Sequence, residues 1–279
     1  MTGLIFADAD AVFSYGKYVI LGVPLDVSGT HRRGTGETPN AIREESYNFE
    51  TYIHELGIDL ADVPIHDMGD LPIDNPKLDV FDAVGKIVAA GKIPILMGGE
   101  HSITPFAVEA FSDVSVLVFD AHLDYRDSYE GDKNSHACAT RRIDEAISPE
   151  KVLPVGVRSI CREEMEDAKT HALEYITADQ AREMGTEELI KHIDQTMPGN
   201  LYLSIDMDGI DPAFAPGVAT PEPFGLDPLM IRDVIRKLAH KIVGMDVVEV
   251  CPPYDNGNTA SLAAKLIREF IAAKEASEK

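Results

Sequence analysis

Short apolar runs rich in β-branched residues recur along the chain, and stretches with helical spacing separate them. Eight of these runs are predicted strands: Tyr18–Val23, Val63–Met68, Ile93–Met97, Val114–Asp120, Val152–Val157, Leu173–Ile176, Leu201–Ile205 and Val243–Val250. Several runs are apolar on both faces, which is typical of parallel strands covered by helices, whereas half-exposed antiparallel strands alternate. The pattern therefore predicts a mainly parallel sheet of eight strands.

The segments between the predicted strands have the spacing of amphipathic helices. We predict helices over Thr38–Tyr52, Leu78–Ala90, Glu163–His171, Thr177–Met184 with Thr186–Met197, Asp227–Leu238 and Asn258–Lys274. Alternating strands and helices predict an α/β fold, here a three-layer αβα sandwich. No repeat, linker or low-complexity tract divides the 279 residues, so we expect a single domain over residues 1–279.

Charge limits the classes of ligand that the protein can bind. The chain carries 48 acidic and 25 basic side chains, which gives a formal net charge of −23. This charge repels nucleic-acid phosphates and anionic lipid, and it favours a small cationic molecule or metal ions as ligands. The alternative is that the acidic surface only keeps the protein soluble. We therefore predict no nucleic-acid and no membrane partner.

The lengths of the apolar runs and the number of cysteines indicate where in the cell the protein is found. No apolar run approaches the ~20 residues that a membrane-spanning helix needs. The N-terminus lacks the basic start and apolar core of a secretory signal. Three cysteines, Cys138, Cys161 and Cys251, are odd in number and widely spaced, which predicts free thiols. We expect a cytoplasmic protein.

Acidic and histidine side chains follow four of the predicted strands at the point where each strand ends. They lie in Gly98–Ser102, in Asp120–Asp124, in Asp206–Asp208 and at Glu249. Ligands of open α/β sheets bind at the carboxyl ends of the strands. We therefore expect these four segments to contribute to one site.

The spacing within these segments indicates a metal site. Asp120, His122 and Asp124 alternate with apolar residues, so their side chains point to one side of the chain. The Asp206–Asp208 segment repeats the pattern. Carboxylates that are buried together take up protons unless cations hold them ionised. Each cluster alone also fits a loop rich in turn-forming Asp, but together with His101 they predict bound metal ions.

Ligand type and number narrow the choice of metal. The candidate metal ligands are His101, Asp120, His122, Asp124, Asp206 and Asp208. Mixed imidazole and carboxylate ligands suit Mn²⁺ better than the thiolate-rich sites of structural zinc. Six ligands are too many for one ion with an open position, but they fit two ions that share bridging carboxylates. We predict two Mn²⁺ per subunit, which lower the pKa of a bridging water and so supply a hydroxide nucleophile.

Three motifs, in this order, closely resemble the metal motifs of the ureohydrolases, the arginase and agmatinase superfamily. They are Gly-Gly-Glu-His-Ser at 98–102, Asp-Ala-His-Leu-Asp at 120–124, and Ser-Ile-Asp-Met-Asp-Gly-Ile-Asp-Pro at 204–212. Segments 22–43 and 247–255 resemble agmatinase-type motifs, so the resemblance spans nearly the whole chain. It implies the arginase/deacetylase-like α/β fold and the hydrolysis of a guanidino compound to urea and an amine.

The resemblance also implies a role for each site residue. One Mn²⁺ is expected at His101, Asp120, Asp124 and Asp206, and the other at Asp120, His122, Asp206 and Asp208, with Asp120 and Asp206 bridging. Asp124 is expected to orient the attacking hydroxide, and Glu249 to bind the guanidinium group. His136 is expected to contact the substrate and to protonate the leaving amine, since an imidazole has an ordinary pKa of about 6.5.

The residues after the second motif bear on substrate choice. Arginases carry an Asn two residues after the last acid of this motif, where this chain has Arg126, and the run resembles archaeal-type agmatinases. Acids such as Asp127, Glu130, Glu163 or Glu164 would attract the terminal amine of agmatine. Arg126 either pairs with an acid outside the pocket, which we favour, or binds a substrate carboxylate, as in guanidinobutyrate or guanidinopropionate hydrolysis.

We predict an agmatinase-like enzyme that converts agmatine to putrescine and urea for polyamine biosynthesis, and aminopropylagmatine is a further possible substrate. A guanidino-acid hydrolase or an arginase is the alternative within enzymes. A catalytically silent regulatory relative is the alternative from another class, but none of the expected ligands is missing. A binuclear phosphoesterase would need cationic phosphate contacts, which the acidic charge opposes. Ureohydrolases are commonly trimers or hexamers, so we expect a homotrimer or a homohexamer.

Overall fold

Strands of the computed structural model, which describes residues 4–279, form two sheets. They are β1 (Tyr18–Val23), β2 (Tyr52–Ile53), β3 (Ile58–Asp59), β4 (Ile65–Asp70), β5 (Ile93–Gly98), β6 (Ser115–Phe119), β7 (Val152–Val157), β8 (Ile176–Thr177), β9 (Leu201–Asp206) and β10 (Ile242–Val248). The main sheet has eight strands in the order β4-β1-β5-β10-β9-β6-β7-β8, and every neighbouring pair is parallel. Every residue of β1, β6, β7 and β9 is buried, as strands covered on both faces require. The predicted sheet is confirmed.

Helices cover both faces of this sheet. They are α1 (Thr38–Ser46), α2 (Pro76–Ala89), α3 (Ile103–Val108), α4 (Ala139–Ile147), α5 (Arg162–Thr170), α6 (Ala178–Thr196), α7 (Pro228–Leu238) and α8 (Asn258–Ser277). One apolar cluster packs the sheet against α1, α6, α7 and α8, with Ile231 and Phe270 among its members. A second cluster packs the opposite face against α2 to α5, with Phe106 and Ile143 among its members. The three-layer αβα sandwich is therefore confirmed.

Some helix bounds differ from the prediction for local reasons. Helix α1 ends at Ser46 rather than Tyr52, because β2 pairs with β3 in a short antiparallel hairpin that the sequence analysis did not predict. The break predicted within α6 is present, since Gly185 has a non-helical φ of 72°. Helices α3 and α4 were not predicted. Every residue of α3 is buried, so it lacks the polar face that marks an amphipathic helix.

Two further expectations concern the chain as a whole. None of the helices in residues 4–279 combines the length and the apolar character needed to cross a membrane. All three cysteines are free thiols, as predicted.

Candidate metal centre and active site

The four strands that end in acidic and histidine residues are direct neighbours in the middle of the sheet. Their order is β5, β10, β9 and β6, and parallel pairing brings their carboxyl ends to one edge. The register places Val248 of β10 beside Asp206 of β9, and Phe119 of β6 beside Ile205. Residues that are far apart in the sequence therefore meet at one site.

His101 faces three carboxylates at this edge. Its Nδ1 lies 3.1 Å from Asp120 Oδ2, 3.3 Å from Asp124 Oδ2 and 3.4 Å from Asp206 Oδ2. His101 Nδ1 and Asp120 Oδ2 are both buried, and neither has a hydrogen-bond partner among the described residues. Buried polar atoms are rarely left in this state unless an ion or water satisfies them. This pair of atoms fits a bound cation.

A second group of ligand atoms lies beside the first. His122 Nδ1 is 3.1 Å from Asp208 Oδ2 and 3.6 Å from Asp120 Oδ1. Two groups of residues have ligand atoms that all lie within 4.8 Å of one another. The first group is His101, Asp120 and Asp124, and the second is Asp120, His122 and Asp208. Asp120 belongs to both groups, which is the geometry that two adjacent ions with a bridging carboxylate need.

The pKa shifts show that the cluster favours bound positive charge. Burial raises the pKa values of Asp206 and Asp124 above the ordinary range, and the nearby Asp120 carboxylate adds to both shifts. Burial opposes the charged form of His122, but Asp208 and Asp120 outweigh it and raise the His122 pKa to about 12. The surroundings therefore favour the protonated forms of these residues, and a metal ion would take the place of the protons.

Hydrogen bonds behind the cluster fix the tautomer of His101. Ser204 Oγ donates to Asp246 Oδ1 at 2.7 Å, so it can only accept from His101 Nε2, 3.2 Å away. The hydrogen of His101 is thereby held on Nε2, and Nδ1 keeps a free lone pair toward the carboxylates. A metal-ligating histidine needs this arrangement.

Two residues of the site have strained backbone. Asp124 and Glu249 have φ values of 51° and 65°, in the left-handed region that non-glycine residues avoid. Strain of this kind concentrates at functional sites. Glu249 is buried, and its Oε1 accepts a hydrogen bond of 2.8 Å from the backbone N–H of His101. Burial raises the Glu249 pKa well above the ordinary range despite this hydrogen bond, and Glu100 and Asp208 raise it further.

A cavity of about 100 Å³ opens above the cluster. It is lined by Thr30, His122, Asp124, Arg126, Tyr129, His136, Ala137, Asp206, Asp208, Thr220 and Glu249. The predicted residues His136, Glu249 and Arg126 therefore meet the metal cluster in one cavity. Thr30 and Thr220 were missed, because they come from loops without a recognisable motif. Thr220 Oγ1 donates to Asp208 Oδ2 at 2.9 Å.

The structure gives Arg126 and Asp127 different positions. Arg126 lines the cavity, where its Nη2 lies 3.2 Å from Glu164 Oε2 and its guanidinium lies 5.0 Å from the centre of the Tyr129 ring. It therefore makes the ion pair we favoured, but at the cavity wall rather than outside the pocket. Asp127 is not among the lining residues, and its carboxylate accepts from Lys133 at 3.2 Å on the surface. The structure therefore does not place Asp127 at the cavity.

Comparison with known proteins identifies the class of protein. The model of the Arginase family matches residues 16–273, so the chain belongs to this family of ureohydrolases, as the three motifs indicated. The family consists of hydrolases that use a binuclear metal site, act on guanidino substrates and are typically oligomeric.

Individual relatives are similar over nearly their full length. The crystal structure of the agmatine ureohydrolase of Thermoplasma volcanium superposes with a TM-score of 0.96 at 41% identity, covering 100% of this chain and 96% of that one. The N(1)-aminopropylagmatine ureohydrolase of Thermococcus kodakarensis is 36% identical over 266 residues, 92% of this chain and 90% of its own length. The agmatinase of Halalkalibacterium halodurans is 34% identical, covering 97% of this chain and 96% of its own length.

Proposed function

We propose that this protein is a manganese-dependent agmatine ureohydrolase, which hydrolyses agmatine to putrescine and urea. The observation that carries the proposal is the pair of ligand groups that share Asp120, directly below a cavity lined by Glu249 and His136. The similarity to an agmatine ureohydrolase and an agmatinase supports the choice of substrate. Putrescine is a diamine, so the reaction would serve polyamine biosynthesis.

The two groups and the contact of Asp206 with His101 support the proposed metal ligands, and the place of Asp206 at the second ion is what the resemblance to ureohydrolases implies. One Mn²⁺ would be held by His101, Asp120, Asp124 and Asp206, and the other by Asp120, His122, Asp206 and Asp208. Two histidines with four carboxylates suit Mn²⁺, since imidazole and hard oxygen ligands are mixed. When bound, such a pair of ions supplies an activated water at neutral pH.

Glu249 is the proposed anchor of the guanidinium group. Its Oε1 is engaged by the backbone of His101, which leaves Oε2 to accept from a guanidinium N–H. Asp206 and Asp208 also line the cavity, but the ions would balance their charge, so the cationic group is attracted by the Glu249 carboxylate itself. Attraction of this kind holds the substrate carbon in place for attack.

Two further residues would handle protons. Asp124 lies at the cavity wall and would orient the attacking water by accepting one of its hydrogens. His136 would give a proton to the nitrogen of the leaving amine as the C–N bond breaks, because a neutral amine leaves far more readily than an amide anion. Both side chains line the same cavity.

Arg126 favours a second candidate function. Among the described residues that line the cavity, it is the one with a permanently cationic side chain, and a guanidino acid such as guanidinobutyrate would place a carboxylate near it. We prefer agmatine because Glu164, a buried carboxylate, already pairs with Arg126. Aminopropylagmatine has the same guanidinium end as agmatine and also lacks a carboxylate, so we prefer it to a guanidino acid for the same reason.

Urea release from a panel of substrates tests the proposal. Mn²⁺-loaded protein is incubated with agmatine, aminopropylagmatine, guanidinobutyrate and arginine, and urea is measured. We expect the highest kcat/KM with agmatine or its aminopropyl derivative. Urea from guanidinobutyrate alone would replace the substrate assignment, and no urea from any compound would favour the silent relative.

We also propose that residues 1–279 form a single ureohydrolase domain, that the protein is a homotrimer or a homohexamer, and that it is cytoplasmic. The family match over residues 16–273 supports the first proposal. The typical oligomeric state of the family supports the second. The free thiols support the third.

A further inference from the structure

Glu100 is a buried carboxylate that the proposed reaction does not use. Its Oε2 accepts from the backbone N–H groups of Val27 at 2.8 Å and Ser28 at 2.7 Å. Its Oε1 accepts from the hydroxyls of Ser28 and Ser102, each at 2.8 Å. All four partners are donors, and they match a carboxylate, which only accepts.

Ser28 connects this carboxylate to His136. Ser28 Oγ lies 3.0 Å from His136 Nδ1 and also accepts from the backbone N–H of His136 at 2.9 Å. A hydroxyl has one hydrogen, and that of Ser28 is donated to Glu100. Ser28 Oγ can therefore only accept from Nδ1, which must carry a hydrogen. Ser135 Oγ also lies near Nδ1, but at 3.5 Å it is the weaker contact.

The backbone that holds this arrangement depends on a close approach between two strand ends. The loop after β1 carries Ser28, and the segment after β5 carries Glu100. The backbone N–H of Glu100 donates to the carbonyl of Leu25 at 2.9 Å. A Cβ on Gly99 would lie 1.9 Å from the Leu25 carbonyl oxygen, so only glycine allows the two segments to meet.

We propose that Ser28 and Glu100 are positioning residues that hold the hydrogen of the His136 imidazole on Nδ1, so that Nε2 is the nitrogen that exchanges protons with the substrate. The inference rests on the proposed role of His136 in amine release. The charged imidazole gives its Nε2 proton to the leaving nitrogen, which takes the electron pair of the breaking C–N bond. The ring becomes neutral and keeps its hydrogen on Nδ1, toward Ser28.

The tautomer of His136 can be measured by NMR on the protein without substrate. Histidine is labelled with ¹⁵N, and the His136 signals are assigned by their loss in a His136→Gln sample. We expect the Nδ1–H form in the native protein and in Ser28→Thr, which keeps the hydroxyl. Ser28→Ala should shift the ring toward Nε2–H, the form that free histidine prefers.

A matched control distinguishes the loss of the Ser28 contact with His136 from the loss of a hydrogen bond to Glu100. Ser102→Ala removes a hydrogen bond to the same Oε1 atom with the same length, 2.8 Å, but the hydrogen bonds of His136 are with Ser28 and Ser135 and not with Ser102. We expect Ser102→Ala to keep the Nδ1–H form. A change of tautomer as large as that in Ser28→Ala would overturn the inference.

A second variant reverses the hydrogen bond and leaves Ser28 in place. In Glu100→Gln the amide oxygen must take the place of Oε2, because two backbone N–H groups point at it. The amide NH₂ then donates to Ser28 Oγ, whose hydrogen becomes free to point at His136 Nδ1. We expect the Nε2–H form in this variant. Retention of Nδ1–H in both Glu100→Gln and Ser28→Ala would overturn the inference.

Kinetics with Mn²⁺ and agmatine give a second readout. We expect kcat to fall at least tenfold in Ser28→Ala, within the ~10²-fold to ~10⁴-fold contribution of general acid–base catalysis. KM should change less than twofold, because Ser28 does not line the cavity, and Ser28→Thr should restore kcat. Equal losses in Ser28→Ala and Ser102→Ala would overturn the inference. Absence of urea from every guanidino compound, with the tautomers as expected, would refute the proposed function but leave the positioning of His136 intact.

Discussion

Arg158 Nη2 donates a hydrogen bond of 2.6 Å to the backbone carbonyl of Asp208. The same guanidinium donates to the carbonyls of Gly209 and Glu222. It therefore ties the segment that carries Asp208 to the loop that carries Thr220, whose hydroxyl donates to the Asp208 side chain. Burial lowers the pKa of Arg158 despite the acids around it. The side chain was missed because nothing in its sequence neighbourhood marks it.

We predict that Arg158→Lys destabilises the protein by about 2–4 kcal/mol. An ammonium has three donors where the guanidinium has five, and each buried carbonyl left without a partner costs about 1–3 kcal/mol. Urea denaturation measures the free energy of unfolding. Arg182→Lys is the control, since Arg182 is exposed and pairs with Asp179 only at the surface, and its effect should stay below about 0.5 kcal/mol. Equal stability of the two variants would contradict the role of Arg158.

Removal of the Asp208 side chain should abolish the binding of one of the two metal ions. Asp208 belongs to the His122 group but not to the His101 group, so Asp208→Ala should bind one Mn²⁺ per subunit instead of two and lose most of the activity. Metal content by mass spectrometry after dialysis checks this. Asp211→Asn is the control, since Asp211 is in neither group and accepts from the backbone of Gly225. Two ions in Asp208→Ala would show that the ligand assignment is wrong.

Neutralising the Arg126 ion pair should reveal the charge of the substrate's far end. If the substrate is agmatine, the variant Arg126→Gln with Glu164→Gln removes a cation together with its paired anion, so the net charge beside the cavity is unchanged and KM for agmatine should change less than about twofold, equal to ~0.4 kcal/mol. The double variant is needed because Arg126→Gln alone leaves Glu164 buried without its partner. Steady-state urea release at several agmatine concentrations measures the change. A large rise in KM, with guanidinobutyrate affected most, would support the guanidino-acid alternative.

The buried thiols should be slow to react. Burial raises the pKa values of Cys138 and Cys251 to about 11, so a much smaller fraction is thiolate at pH 8 than in a free cysteine. The thiolate reacts with iodoacetamide, so these two should be alkylated about 100-fold more slowly than a free thiol, and their rates should rise about tenfold per pH unit. Cys161 is partly exposed and should react first. Peptide mass spectrometry measures the alkylation rate of each cysteine, and the unfolded protein is the control. Fast labelling of Cys138 or Cys251 in the folded protein would contradict the expectation.

Much of the fold follows from the sequence because its central strands are apolar on both faces. Helix α4 was also detectable, since Ala139, Ile143 and Ile147 recur at intervals of four. Helix α3, in which every residue is buried, was not detectable by this criterion. The hairpin of β2 and β3 depends on pairing across the four residues 54–57, which contain only one glycine, and this is a weak signal.

The site was predictable where it follows strand ends and unpredictable where loops contribute. The acids after β6 and β9 and the histidine after β5 are marked by their spacing. Ser28 and Thr220 are ordinary loop residues, and only the tertiary structure brings them to His136 and Asp208. The partner of Arg126 is 38 residues away, so sequence reasoning left its two alternatives open.

The position of β10 has a consequence for how the protein matures. The strand nearest the C-terminus lies between β5 and β9, and neither of these strands pairs with the other. A ribosome-bound chain that ends before residue 242 thus has two separate partial sheets, with His101 on one and the acids after β6 and β9 on the other. The cation proposed at His101 would therefore be acquired only after β10 has joined the two halves, whereas the proposed ligands of the other cation all lie on the half that holds β6 and β9.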